Sequence, residues 1–175
     1  MNPPPIRLEQ LLPMRVARFR AVSASPERDA RVMLQQWAGP RGLLNDLTAH
    51  PVFGFNNPAP SPHTREYGYE FWIRIDPDTR TEDGIAVKDF PGGLYAVTTC
   101  KLQGDPVGGI GDVWTTLWEW TQTGSYRLRP DHELEKPHNP LAPETDMVLD
   151  LCFPICPRSE PSPAIASIRT DPHSL

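Results

Sequence analysis

Glu70-Phe71-Trp72-Ile73-Arg74-Ile75 and Asp150-Leu151-Cys152-Phe153-Pro154-Ile155 each set an acid ahead of an apolar run, 80 positions apart from 70 to 150. Two further pairs keep nearly the same spacing. Leu12-Pro13-Met14-Arg15-Val16 falls on Phe90-Pro91-Gly92-Gly93-Leu94, an offset of 78 from 12 to 90. Asn57-Pro58-Ala59-Pro60 falls on Asn139-Pro140-Leu141-Ala142, an offset of 82 from 57 to 139. Matches that keep both order and spacing indicate a duplicated unit.

Working outward from these anchors gives the unit its elements. Leu11 to Val22 alternates Ala17, Phe19 and Ala21 with Arg18 and Arg20, the pattern of a half-buried strand. Ser25-Pro26-Glu27 reads as a helix start, with Ser25 as the N-cap. Ala30, Met33, Leu34 and Trp37 recur at helical spacing until Gly39-Pro40 stops the helix. A Pro-punctuated segment, His50 to Pro62, reads as the edge of the unit, and Tyr67 to Ile75 as its central strand. The second half repeats the order. Lys88 to Cys100 is a strand interrupted at Pro91-Gly92-Gly93, and Asp112 is expected to cap a helix with Val113, Trp114, Leu117, Trp120 and Thr121 on one face. His132 to Asn139 is an edge segment, and Met147 to Ile155 a final strand. Gly104 to Gly111 is expected to be a loop before the second helix. The predicted fold is α+β: two pseudo-twofold strand-helix-strand-strand repeats pair edge to edge into an antiparallel sheet, with both helices on one face and a central ligand groove.

Length and charge set the outer limits. The chain has 175 residues, enough for one domain with a sizeable core. Residues 1–5 are expected to be disordered, 6–156 to form the domain (repeat one about 6–80, repeat two about 84–156), and 157–175 to be a disordered Pro/Ser-rich tail. A net charge of -5 with scattered Lys and Arg argues against a nucleic-acid surface and suits a cationic or neutral partner. Cys100, Cys152 and Cys156 lack framework spacing and read as reduced thiols, which points to the cytoplasm. No apolar stretch is long enough to span a bilayer, and no export signal opens the chain. His132 and His138 have no nearby Cys pair at zinc-ligand spacing, and the glycine-rich stretch lacks the Lys-Ser or Lys-Thr of a phosphate cradle, so neither metal nor cofactor is expected.

Taken in order, several segments resemble the GyrI-like, AraC-type effector-binding family, from about Ile6 to Ile155. They are Leu12-Pro13-Met14-Arg15-Val16-Ala17 with Ser25-Pro26-Glu27, Tyr69-Glu70-Phe71-Trp72-Ile73, Phe90-Pro91-Gly92-Gly93-Leu94-Tyr95-Ala96-Val97, Trp114 through Trp120, Leu134-Glu135, and Leu149 to Ile155. Members of that family act as ligand-sensing halves of transcription regulators, as stand-alone proteins, as gyrase inhibitors, and as hydrolases of cyclopropane-containing alkylating toxins. The resemblance implies the duplicated fold and a pocket between the repeats, with a small molecule as partner and a protein partner or homodimer as a further possibility. No helix-turn-helix segment is evident, so direct nucleic-acid binding is not expected, and if the protein is a regulator its DNA-binding half is expected on another chain. Around the family's acidic position this chain reads His132-Glu133-Leu134-Glu135-Lys136-Pro137-His138, with an extra acid and a proline, which leaves the pocket acid open between Glu133 and Glu135.

An aromatic groove with one buried carboxylate suits a flat, lipophilic cation, because ring faces attract the charge and the acid balances it. The candidate ligand-binding residues are Glu135, Glu133, Glu70, Tyr67, Tyr69, Phe53, Phe55, Tyr95 and Trp118. For Glu133 and Glu135 the alternative is a solvated edge; for Glu70 it is a structural ion pair with Arg18 or Arg20; for the rings it is ordinary strand packing. Trp118 lies off the apolar stripe of its helix, while Trp37, Trp114 and Trp120 read as core. If the domain is instead a hydrolase, Glu135 is the candidate general base and Tyr95 the group that polarises the substrate.

Overall fold

Pro13 and Pro91 decide how the two repeats join. Proline has no N–H to offer a sheet ladder, so each repeat's opening strand is broken there rather than continuous. In the computed structural model, which describes residues 5–81, 84–102 and 106–158, the opening stretch of the first repeat is two strands: β1 (Arg7–Leu11), which precedes the strand expected over Leu11 to Val22 and was not expected, and β2 (Met14–Ser23). That of the second repeat is likewise β5 (Ala86–Phe90) and β6 (Gly93–Lys101). The break lets each opening strand leave its own repeat: β1 pairs with β6, and β5 pairs with β2.

Between these strands lie α1 (Pro26–Ala38), β3 (Val52–Asn56) and β4 (Tyr67–Arg74) in the first repeat. The second repeat has α2 (Pro106–Thr123), a short β7 (Tyr126–Leu128), β8 (Leu134–Pro137) and β9 (Val148–Pro157). One antiparallel sheet runs β1-β6-β9-β8-β3-β4-β2-β5, with β7 added to β9. The expected edge segments therefore meet at the centre, where β3 and β8 join through one residue pair, Gly54 and Glu135. That pair marks the pseudo-twofold seam.

Register fixes which residues share a face. Phe19 lies opposite Phe71, Phe71 opposite Gly54, Gly54 opposite Glu135, and Glu135 opposite Leu151. Directly opposed residues point the same way, so this row crosses the whole middle of the sheet on one side. Phe19 and Phe71 belong to the core beneath α1, with Ala30, Leu34 and Trp37 of that helix. Leu151 belongs to the core beneath α2, with Leu117, Val113, Trp114 and Trp120. Both helices thus cover the same face, and Glu135 lies between their two cores. Each fully buried Phe or Leu in these clusters contributes about 1.5–3 kcal/mol of burial. The opposite face has its own core, built from Val16, Phe53, Phe55, Trp72, Phe90, Tyr95, Val97, Leu134 and Cys152.

Several local expectations change. Helix α2 begins at Pro106, not at Asp112, because proline suits a first turn and Ile110 already packs against the core beneath the helix. Gly109 and Gly111 are inside it rather than in a loop, while positions 103–105 lie outside the described residues. Ser25 stands at the N-cap of α1, but its hydroxyl makes no cap bond. Instead the Ser23 hydroxyl donates to Asp29 at 2.6 Å, tying the first turn to the end of β2. At the chain's other end the ordered fold continues past residue 156. Pro157 pairs with Tyr126, and the Arg158 guanidinium donates to the carbonyls of Thr121, Gln122 and Gly124, satisfying the free C-terminal carbonyls of α2. Of the termini expected at 1–5 and 157–175, residues 1–4 and 159–175 lie outside the described residues. Among the described residues no helix is long and apolar enough to cross a membrane.

Candidate functional site

Above the seam the two helices stand apart, and the space between them is a cavity of about 460 Å³. Its floor is Tyr69 and Phe71 from β4, Glu135 and Pro137 from β8, and Leu149 from β9. One wall is Glu27 and Arg31 of α1; the other is Ile110 of α2 with Leu102 and Met147. The lining is mostly apolar, so its few charged groups act in a medium that screens them poorly.

Tyr69 and Glu135 are the polar centre. The Tyr69 hydroxyl donates to Glu135 Oε2 at 2.6 Å across the seam. Burial pushes the Glu135 carboxyl up, the Tyr69 hydrogen bond pulls against that shift, and the charge of Glu27 adds to it; the net is a raised value. Burial and the facing carboxylate push the Tyr69 phenol well above its usual range, so the tyrosine stays a proton donor. The ring also sits edge-on to Phe71 with centroids 5.0 Å apart, which fixes its orientation. The Tyr67 hydroxyl lies 2.8 Å from both Glu27 carboxylate oxygens.

Of the residues singled out from sequence, Glu135, Tyr67 and Tyr69 come together in this cavity. Glu133 does not. It is exposed, and lines a neighbouring recess of about 290 Å³ with Trp114, His132 and Phe55, which shares only Asn56 and Glu135 with the main cavity. Partial desolvation raises its carboxyl. Glu70 lies on the opposite face of the sheet. It is fully buried and accepts from Arg18 Nε at 2.5 Å, Trp72 Nε1 at 2.6 Å and Asn57 Nδ2 at 2.8 Å. Burial pushes its carboxyl up, but these donors hold it below the usual carboxylate range. Its role is therefore structural, with Arg18 as the partner. Phe53, Phe55 and Tyr95 pack in the core of that same opposite face, since they sit one residue out of phase with the cavity row. Tyr95 is fully buried across the sheet from Glu135 and cannot polarise a substrate there. Trp118 is 52% exposed on the solvent side of α2 and lines none of these spaces.

Glu27 and Arg31 were not among the expected site residues. Glu27 had a sufficient explanation as an acid in the first turn of a helix. The available signal was their spacing of four, which sets both on the flank of the Ala30, Leu34 and Trp37 stripe rather than on the solvent side.

A family model described as an integron-associated effector binding protein, Cass2, matches residues 7–155. The EcmrR C-terminal domain is 12% identical, with a TM-score of 0.62 over 88% of this chain and 98% of that one. EcmrR in its DNA complex is 14% identical, with a TM-score of 0.63 over 89% of this chain; the chain spans 58% of that protein's length. A hydrolase encoded by lin2189 from Listeria innocua is 10% identical, with a TM-score of 0.56 over 86% of this chain and 91% of that one. These likenesses show a shared GyrI-like fold. No curated protein sequence matches the chain.

Proposed function

The chain belongs to the family of integron-associated effector binding proteins, and on that premise we propose that the cavity between α1 and α2 binds a lipophilic small molecule carrying a cationic group. The observation that carries the proposal is Glu135, an acid raised by burial at the floor of an apolar cavity and held by a tyrosine hydroxyl. An ionised carboxylate in such a place lacks most of its hydration, and a bound cation restores what burial removed. The ring faces of Tyr67, Tyr69 and Phe71 add quadrupole attraction and a flat apolar surface. Acidic net charge favours the approach of a cation.

Thermal melting with a panel of lipophilic cationic dyes tests this. A ligand at about 100 times its Kd stabilises the fold by about 2.7 kcal/mol, which is readily seen as a rise in Tm. The rise is expected in the wild type and is expected to shrink sharply in Glu135→Gln. A panel without any stabilising member counts against the proposal.

A second reading rests on the same hydrogen-bonded pair. In a hydrolase of strained electrophiles Glu135 would serve as general base toward water, and Tyr69, not Tyr95, would be the hydroxyl beside the reacting centre. Chromatography of a cyclopropane-bearing alkylator after incubation with the protein separates the two readings. Ring-opened alcohol formed at the background rate in wild type and Glu135→Gln alike leaves capture as the function.

A further inference from the structure

The charged groups of the cavity are not equally provided for. Glu135 has the Tyr69 hydroxyl, and Glu27 has the Tyr67 hydroxyl on both of its oxygens. Arg31 shares the α1 wall with Glu27, yet its guanidinium has no hydrogen bond or ion pair among the described residues, and its Nε is buried from solvent without a partner. A guanidinium at the edge of an apolar space keeps its full charge at any pH the protein meets. That Nε is enclosed by protein, so an acceptor entering the cavity would meet the terminal N–H groups of the guanidinium, which are not enclosed in this way.

We propose that Arg31 is an anion-binding subsite of the effector cavity, so that the preferred ligand is amphoteric: a lipophilic body with a cationic group for Glu135 and a carboxylate, or comparable anionic group, for Arg31. This rests on the reading of the cavity as a ligand site and narrows it. A simple cation satisfies Glu135 but leaves the Arg31 guanidinium without an acceptor in the same poorly screened space. A zwitterion meets both signs, and a planar carboxylate can take two guanidinium N–H donors side by side. Helix α1 is held on the sheet by Ala30, Leu34 and Trp37, so Glu27 and Arg31 are presented from a rigid backbone.

Rhodamine B and its ethyl ester test the subsite, because they share one cationic ring system and differ in a free carboxylate. Fluorescence polarisation titrations of both dyes are made with wild type, Arg31→Met, Arg31→Lys and Glu135→Gln. The wild type is expected to bind the free acid about tenfold more tightly than the ester. That ratio should fall to near one in Arg31→Met and persist in Arg31→Lys, which keeps the charge and controls for folding. If the ester binds in a Glu135-dependent way but the wild type does not favour the acid, the anion subsite is overturned and the cavity reading stands. A preference that survives unchanged in Arg31→Met overturns it equally. If neither dye binds in a Glu135-dependent way, both fall together.

Discussion

The Tyr69 ring lies across Gly54. A β-carbon at that glycine would stand 2.7 Å from Tyr69 Cε1 and 2.8 Å from Cζ, with the hydroxyl closer still. Gly54 is the seam residue opposite Glu135, so the missing side chain is what lets the tyrosine lean over the seam and donate to the acid. One repeat supplies a glycine and the other a glutamate at the same pseudo-symmetric place, and the polar centre is built from that difference.

Gly54→Ala is therefore expected to displace a buried ring rather than merely to stiffen a strand. The cost should be about 1–3 kcal/mol, as for overpacking elsewhere in protein cores. It should appear as a lower Tm together with weakened binding of any ligand that depends on Glu135. Combining it with Tyr69→Ala tests the cause: the double variant should lose less than the two single losses together, because the clash is gone. Strict additivity would mean that the ring is not the obstacle.

Glu135→Gln should stabilise the unliganded protein at neutral pH. A glutamate whose folded value is raised favours folding only while it is protonated, and that contribution is lost as pH rises through the folded value. Glutamine stays neutral at every pH and still accepts from Tyr69. The expected gain is about 1 kcal/mol, or roughly 2–4 °C in Tm for a domain of this size; it should shrink as pH falls through the folded value and vanish below the ordinary glutamate range. Differential scanning calorimetry at the two pH values reads it directly.

How much of this was legible in the sequence follows from what sequence patterns encode. The duplicated order of strands and helices could be read because it is repeated, and the offset that matches Glu70 to Asp150 joins two acids that are both buried. Asp150 is held by Arg7 at 2.8 Å and Thr99 at 2.7 Å, much as Glu70 is held by Arg18. Glu135 of the Leu134-Glu135 motif lies at the seam, opposite Gly54. The face of each aromatic was less accessible. Phe53, Phe55 and Tyr95 are as apolar as the cavity residues, and both faces of this sheet are buried, so apolarity did not mark which side they serve. Register decided it, and register depends on pairing between distant strands. Arg31 was hidden for a different reason: a solvated arginine on a helix flank and one aimed into a cavity share the same local sequence.

Cation binding should strengthen with rising pH. The cavity groups that bear on this are Glu135, Glu27, Tyr69 and Arg31. Of these, Glu135 is raised above the ordinary carboxylate range and Tyr69 is pushed well above its own usual value. Protonated Glu135 offers no countercharge, so affinity for a permanently charged cationic dye should climb as pH rises through the Glu135 value and then level off. Isothermal titration across the weakly acidic to neutral range measures it. Glu135→Gln should flatten the profile, and a profile that keeps its slope in that variant would assign the titration to another group.

Arg18→Met separates fold from site. Glu70 lies on the far side of the sheet from the cavity, and it would keep Trp72 and Asn57 as donors after losing its charged partner. Arg18 is partly exposed, and two neutral donors remain, so the loss should fall below that of a fully buried broken pair, at about 1–3 kcal/mol. The pH dependence has a definite sign. Because Glu70 is lowered in the folded state, its stabilisation is present above the ordinary glutamate range and lost as pH falls through the folded value. The variant should therefore lie furthest below the wild type near neutrality and approach it in acid. Affinity for a cavity ligand at a temperature where both proteins are folded should stay within about twofold, since distant sites without shared partners behave independently. A large loss of affinity would instead give Glu70 a part in the site.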